Sequence, residues 1–229
     1  SSGNATLVES GGTRILVDAG IGPRACATRL KLLGEDLFPR GADAMVITHE
    51  HGDHAAHVEP LARALQCPLY FHEGIGGTRA RARFEVRNYS RGDTFTVGAV
   101  EVHTRKLPHD SPQIAVGFTS ASGSFALVTD LGRVPTDLAE FLGRFDVVLL
   151  ESNYCPELLE VGPYPVRLRQ RVSGGVGHLS NEQAGGLVAS LSGTRVHTVH
   201  LGHISRANNT PERALEVVRR HAGNIHVHA

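Results

Sequence analysis

Apolar residues in this chain fall into short runs of two kinds, and their order sets the fold class. Compact or alternating runs at 6–9 and 14–18 predict two strands, with Gly11-Gly12 between them as a hairpin turn. Runs at 68–71, 94–97 and 100–105 predict further strands, and 114–119 with 124–128 predicts a second hairpin around Gly123. Three runs, at 42–48, 147–150 and 195–201, are apolar enough for strands in the middle of a covered sheet. Helical spacing interrupts them. A helix is predicted over 24–33, stopped by Gly34. Another is predicted over 54–65, with Val58, Leu61, Ala62 and Leu65 on one face. Shorter helices are predicted at 136–142 and in patches over 156–172. Ser180 with Gln183 is a capping box, and Thr210-Pro211 opens a last helix that turns Ala214, Leu215, Val217 and Val218 inward. A β-rich first half and an alternating second half predict stacked layers of sheet and helix, α/β in class, in one domain over 1–229.

What ends the runs is as informative as the runs themselves. Asp18, His49, His109, Asp130, Glu151 and His203 each stand at or just after the end of one. Aspartate often closes a strand as a turn residue, so one such case means little. Six together matter, because ligands in layered α/β folds gather outside the carboxyl ends of strands. The densest case is residues 48–57, T-H-E-H-G-D-H-A-A-H, directly after a buried-type strand. Gly52 centres a turn that can fold His49, His51, Asp53, His54 and His57 toward one point. Imidazole and carboxylate donors without thiolate suit zinc, iron or manganese. A solvated loop that happens to be rich in histidine is the competing reading, and the H-x-H-x-D-H spacing argues against it.

Composition adds three constraints. Apolar residues at 41% and charged residues at 20% describe a globular chain with a sizeable core. Lys and Arg number 23 and so do Asp and Glu, so no global basic field marks a nucleic-acid partner. Any such contact is local, and the local candidates are Arg79, Arg81, Arg83, Arg87 and Arg91, and then Arg167, Arg169 and Arg171. Cys26, Cys67 and Cys155 are scattered and odd in number, which fits a reducing cytoplasm and no disulfide framework. No apolar run is long enough to span a bilayer and no basic-then-apolar leader is present, so a cytoplasmic chain without a membrane partner is expected.

The motif His49-Glu50-His51-Gly52-Asp53-His54, followed by a later His, an Asp and a final His, resembles the metallo-β-lactamase fold superfamily. The resemblance implies a four-layer αββα sandwich with two divalent metal ions at one edge. His49, His51 and His109 would hold the first ion. Asp53, His54 and His203 would hold the second, Asp130 would bridge them, and Asp18 would orient a ligating imidazole. Zinc is the first expectation, and the oxygen and nitrogen set also accepts manganese or iron.

Further motifs narrow the resemblance to a bacterial branch, the WalJ-like DNA exonucleases, relatives of the tRNA 3′-processing endonucleases. They are Ser2-Gly3-Asn4, His109-Asp110, Thr129-Asp130-Leu131-Gly132, Glu151-Ser152-Asn153, Gly177-His178-Leu179-Ser180-Asn181 and His203-Ile204-Ser205 with Asn208-Asn209. Three features depart from that branch. Its first strand, ahead of Ser-Gly-Asn, is absent here. His57 replaces a glycine, and Tyr154-Cys155 replaces a His-Asp pair.

Two divalent ions about 3.5–4 Å apart can hold a bridging hydroxide and polarise a phosphoryl oxygen, which suits in-line attack on a phosphodiester. The leaving alkoxide then needs a proton. His178 is the expected donor, kept charged by Glu151; a cap and a loop residue are the competing assignments. Ser205, Asn208 and Asn209 are expected phosphate contacts, against a turn-and-cap role before Pro211. The expected activity is that of a dinuclear phosphodiesterase, a 5′-exonuclease-like enzyme with DNA as its nucleic-acid partner. A hydrolase of a small phosphodiester, lactone or thioester is the alternative, since fold does not fix function. A di-iron redox module is disfavoured by His51, and an inactive binding domain by retention of every ligand.

Overall fold

The computed structural model of the chain describes residues 3–38, 40–74, 84–90 and 92–229. It divides into two compact units, Ser1–His103 with Ser120–Ser122, and Thr104–Thr119 with Gly123–Ala229. Arg79, Arg81, Arg83 and Arg91 of the expected basic patch lie outside the described residues.

The first unit is organised on a five-stranded sheet of order β1-β2-β3-β4-β5. These are β1 (Thr6–Ser10), β2 (Thr13–Val17), β3 (Ala44–Ile47), β4 (Leu69–His72) and β5 (Val86–Tyr89). β1 and β2 form the hairpin that Gly11-Gly12 predicts, with Ser10 opposite Thr13. β2, β3, β4 and β5 are then parallel, as expected where strands are separated by helical crossovers. The crossovers include α1 (Pro23–Leu32), the single turn α2 (Gly52–Ala55) and α3 (Val58–Leu65). β2, β3 and β4 are buried at every position. Leu16, Met45, Ile47, Leu61, Ala62 and Leu69 form the centre of this unit's core.

Residues 54–65 form two helices rather than one, because the chain turns at His57, where φ is −118° and ψ is 22°. The His57 amide donates to the Ala19 carbonyl at 2.8 Å, and the Ala19 amide donates to the His54 carbonyl at 2.6 Å. Those two bonds lash the metal-motif turn to the end of β2, and a continuous helix would break them. Periodicity sees the apolar face of α3 but not this tertiary pairing.

A seven-stranded sheet follows the order β12-β11-β10-β9-β8-β7-β6. Its strands are β6 (Thr94–Val97), β7 (Val100–Leu107), β8 (Gln113–Ser120), β9 (Gly123–Val128), β10 (Val147–Glu151), β11 (Thr198–Gly202) and β12 (His226–His228). β9, β10, β11 and β12 run parallel. In the second unit, Val148, Leu150, Val199 and Leu201 pack with Leu187 and Val188 of α7 (Asn181–Ser190) and Ala214 and Val218 of α8 (Pro211–Arg219). The capping box at Ser180 and Gln183 is formed, and Thr210 caps α8. The remaining described helices are α4 (Leu138–Leu142), α5 (Pro156–Val161) and α6 (Val166–Val172). β5 and β12 were not predicted, and β11 begins at Thr198 rather than at 195 because the Arg195 and His197 amides bond to the Gly143 and Asp146 carbonyls, at 3.2 and 3.0 Å, outside the strand ladder. No described helix is long and apolar enough to cross a membrane.

Candidate metal centre

The strands deliver the candidate residues at their carboxyl ends. Asp18 follows β2, His49 lies two residues past β3, and His109 two past β7. Asp130 lies two past β9, Glu151 is the last residue of β10, and His203 follows β11 directly. Three of these six have left-handed backbones: φ is 64° at Asp18, 56° at Asp130 and 53° at His203. Left-handed residues other than glycine are uncommon and cost roughly 1–3 kcal/mol each unless their surroundings hold them. Their position at the ends of three strands marks the place where the chain is bent to present side chains.

In the first unit, Asp18 is the hub. Its carboxylate meets His54 Nδ1 at 2.7 Å with both side chains buried. It also accepts the Thr48 amide at 2.8 Å and the Thr48 hydroxyl at 3.0 Å. The Thr48 oxygen in turn meets His49 Nδ1 at 3.1 Å. Asp18 therefore positions His54 directly and His49 through Thr48, fixing Nδ1 of each ring and leaving Nε2 as the electron-pair donor. The Asn4 side-chain amide stands against the His54 ring, 2.7 Å from Nε2. The His49 ring centroid lies 4.7 Å from that of His51 and 4.3 Å from that of His54. An Asp53 oxygen stands 3.8 Å from His54 Nε2.

The same segment is laced by backbone bonds. Asn4 N donates to the Asp53 carbonyl at 2.7 Å and Gly20 N to the Asn4 carbonyl at 2.7 Å. A Cβ on Gly20 would lie 1.8 Å from the Asp53 carbonyl oxygen, so only glycine lets residues 4, 20 and 53 close up this far.

In the second unit, the fully buried Glu151 takes the role that Asp18 has in the first. One of its oxygens meets His203 Nδ1 at 2.7 Å and His178 Nδ1 at 2.8 Å. The other accepts the amides of Leu131 at 2.9 Å and Leu179 at 3.2 Å. Burial by itself would raise the Glu151 carboxyl, but His178 beside it and the bonds from both imidazoles outweigh this and hold it down to about 2. Burial likewise works against a charged His178, and Glu151, with Asp130 behind it, carries its pKa upward.

Asp130 has one oxygen 3.9 Å from His109 Nε2 and the other 3.8 Å from His203 Nε2. Those separations exceed a hydrogen bond. They suit pairs of ligand atoms sharing an ion at about 2.0–2.2 Å from each. His109 Nδ1 is fixed by the Gly177 carbonyl at 3.1 Å. Asp130, Glu151, His178 and His203 also bring their donor atoms within 4.8 Å of one another. The second unit's grouped donors, and the imidazole and carboxylate types offered in the first, are those that divalent ions take.

Other expected residues fall elsewhere. Asn209 is buried in a network in which it exchanges amide bonds with Asn181 at 2.7 and 3.0 Å. Asn208 is fully buried, and Ser205 is half-buried with its amide on the Asn153 carbonyl at 2.9 Å. Arg171 pairs with Asp110 at 2.6 Å, and Arg87 pairs with Glu85 at 2.7 Å. Thr48, and Asn153 with its donation to the His203 carbonyl at 2.8 Å, have roles that the sequence pattern did not assign. Both neighbour a candidate residue at a strand end, and that adjacency was the available signal.

A fold of two mixed sheets, with histidine and carboxylate at strand ends, suits a metal-dependent enzyme, and the family match makes it a hydrolase. The family description Beta-lactamase superfamily domain matches residues 13–201, and the chain belongs to that superfamily. Its fold is the metallo-β-lactamase fold, seen in YhfI from Bacillus subtilis at a TM-score of 0.74 and 19% identity, over 100% of this chain and 89% of that one. Within the family, the chain is 33% identical to "Exodeoxyribonuclease WalJ" of Streptococcus pneumoniae, over 93% of this chain and 82% of the relative. It is 30% identical to "Exodeoxyribonuclease YycJ" of Bacillus anthracis, over 93% and 83% respectively. The fold implies divalent metal ions.

Proposed function

We propose that the chain is a dinuclear phosphodiesterase that acts as a DNA exonuclease from 5′ ends. In this reading His49, His51 and His109 hold one ion, Asp53, His54 and His203 hold the other, and Asp130 bridges. Zinc is the first candidate. When bound, the ions supply a hydrolytic nucleophile near neutral pH and offset the charge that develops on phosphorus. Asp18 and Glu151 keep His54 and His203 in the tautomer that presents Nε2.

The observation that carries the reading is the Glu151–His178 pair, 2.8 Å apart beside Asp130. With Nδ1 held by Glu151, His178 carries its transferable proton on Nε2. A sugar alkoxide is a poor leaving group and needs such a donor, as the alkoxide of an opening lactone also does, whereas the thiolate of a thioester does not, so the pair speaks against a thioester. Two relatives named as exodeoxyribonucleases, similar over most of the chain, support the same substrate class. Ser205 remains a proposed phosphate contact.

Metal-analysed protein offered 5′-phosphorylated duplex DNA, RNA, an aryl phosphodiester and a lactone is expected to degrade the DNA, and His54→Ala is expected to abolish that activity. Turnover of the lactone alone would sink the nuclease reading. Turnover of the aryl diester without any polynucleotide would establish the small-diester alternative.

A further inference from the structure

Three residues beyond His54, the first unit opens into a groove of about 810 Å³ that the hydrolytic chemistry does not use. α1 forms one wall through Arg24, Thr28 and Arg29, and His57 with Pro60 at the start of α3 forms the other. Arg24 and Arg29 are exposed, and none of the residues lining the groove is acidic. The positive charge is concentrated on this wall, while half-buried Glu59 lies between His57 and Pro60 on the other. From Ala19 to Gly34 the chain carries Arg24, Arg29 and Lys31 and no carboxylate, in a protein whose formal net charge is zero. The nearest acid before that stretch, Asp18, is buried against His54 and Thr48 and presents nothing to the groove.

The geometry points to a backbone-phosphate subsite in this groove, one that takes the nucleic-acid strand beside the hydrolytic loop. Guanidinium donors along one wall hold a phosphodiester without reading its bases, while the Thr28 hydroxyl is turned back to the Arg24 carbonyl at 2.9 Å. His57 adds a ring nitrogen at the end nearest the metal motif, held there by its own amide on Ala19. Gly22 lines the groove beside the His57 ring, where a Cβ would make only ordinary van der Waals contact at 3.5 Å. The assignment rests on the nuclease reading of the neighbouring site, and it places the strand against α1 rather than on Arg167, Arg169 and Arg171, of which Arg171 is already paired with Asp110.

The test uses metal-loaded protein and a fluorescent duplex whose phosphorothioate linkages resist cleavage, with affinity followed from 50 to 200 mM salt. For the double variant Arg24→Ala/Arg29→Ala, the slope of log affinity against log salt is expected to become shallower by about 1.8, at roughly 0.9 for each phosphate no longer neutralised. Turnover of the aryl phosphodiester is expected to stay at the wild-type level, and Arg24→Lys/Arg29→Lys is expected to restore most of the slope. Wild-type slope and affinity in the alanine variant, with DNA still cut, would overturn the groove assignment alone. Equal loss of aryl diester turnover would show a general disturbance and overturn it as well. If wild-type protein cleaves the aryl diester but neither binds nor cuts DNA, the nuclease reading falls and the groove assignment falls with it.

Discussion

At the scale of single residues, the two carboxylates Asp18 and Glu151 act in parallel: each is buried and grips the Nδ1 atom of a histidine. Glu151 differs in serving two rings, so its removal and the removal of His178 are separable. His178→Ala is expected to lower turnover of a DNA end by about 10²–10⁴-fold while leaving metal affinity and the turnover of an aryl phosphodiester, with its good leaving group, near wild type. Glu151→Gln is expected to cost about 10–100-fold in metal affinity as well, because His203 loses the partner that orients it. Calorimetric metal titration beside steady-state rates on the two substrates distinguishes them. Much at this scale was legible in sequence. H-x-H-x-D-H spacing and a polar residue after each apolar run are linear patterns. The second partner of Glu151, and Asn4 against His54, were not legible, because each joins residues about fifty positions apart that no local pattern links.

Elements set how tightly those residues are held. The metal-motif turn is fastened by backbone bonds from Asn4, Ala19 and His57, and they require residue 20 to lack a side chain. Gly20→Ala is therefore expected to push residues 53–54 off the end of β2, lowering both thermal stability and metal affinity. An ordinary solvated Gly→Ala exchange would stabilise by about 0.4–1 kcal/mol instead, so the sign of the change in Tm tests the arrangement. Buried parallel strands such as β3 and β10 were legible because burial on both faces demands continuous apolar runs. β5, Val-Arg-Asn-Tyr, was not: only Tyr89 is buried, and Arg87 and Asn88 give it the composition of a loop. β12 was missed for the same reason, being two exposed histidines around one buried valine. The break between α2 and α3 escaped because tertiary hydrogen bonding overrode a sound helical period.

For the molecule as a whole, acid stability carries a mark of the second unit's outer loops. Asp146 accepts the Ser124 hydroxyl at 2.7 Å and the Ser124 amide at 2.9 Å, and Arg195 at 2.9 Å. The Ser124 hydroxyl first, and then Arg195, hold its carboxyl below the usual 3.8. A depressed folded pKa means that the native state binds fewer protons than the unfolded chain. Its stabilisation is complete above the ordinary carboxylate value and disappears as pH falls through the folded value. Denaturant titrations of wild type and Asp146→Asn are expected to differ at neutral pH and to converge below pH 3.8. A gap that stays constant with pH would contradict the assignment.

The left-handed backbones at Asp18, Asp130 and His203 have a consequence for descent. Aspartate and histidine tolerate this region better than most residues but less well than glycine or asparagine, so if the proposed metal centre is what selects them, they are held there at a cost. A descendant that kept this fold and abandoned its chemistry would be released at these three positions before its buried strands could change. Glycine or asparagine at all three, with β3 and β10 still apolar, is the written trace that such a lineage would leave.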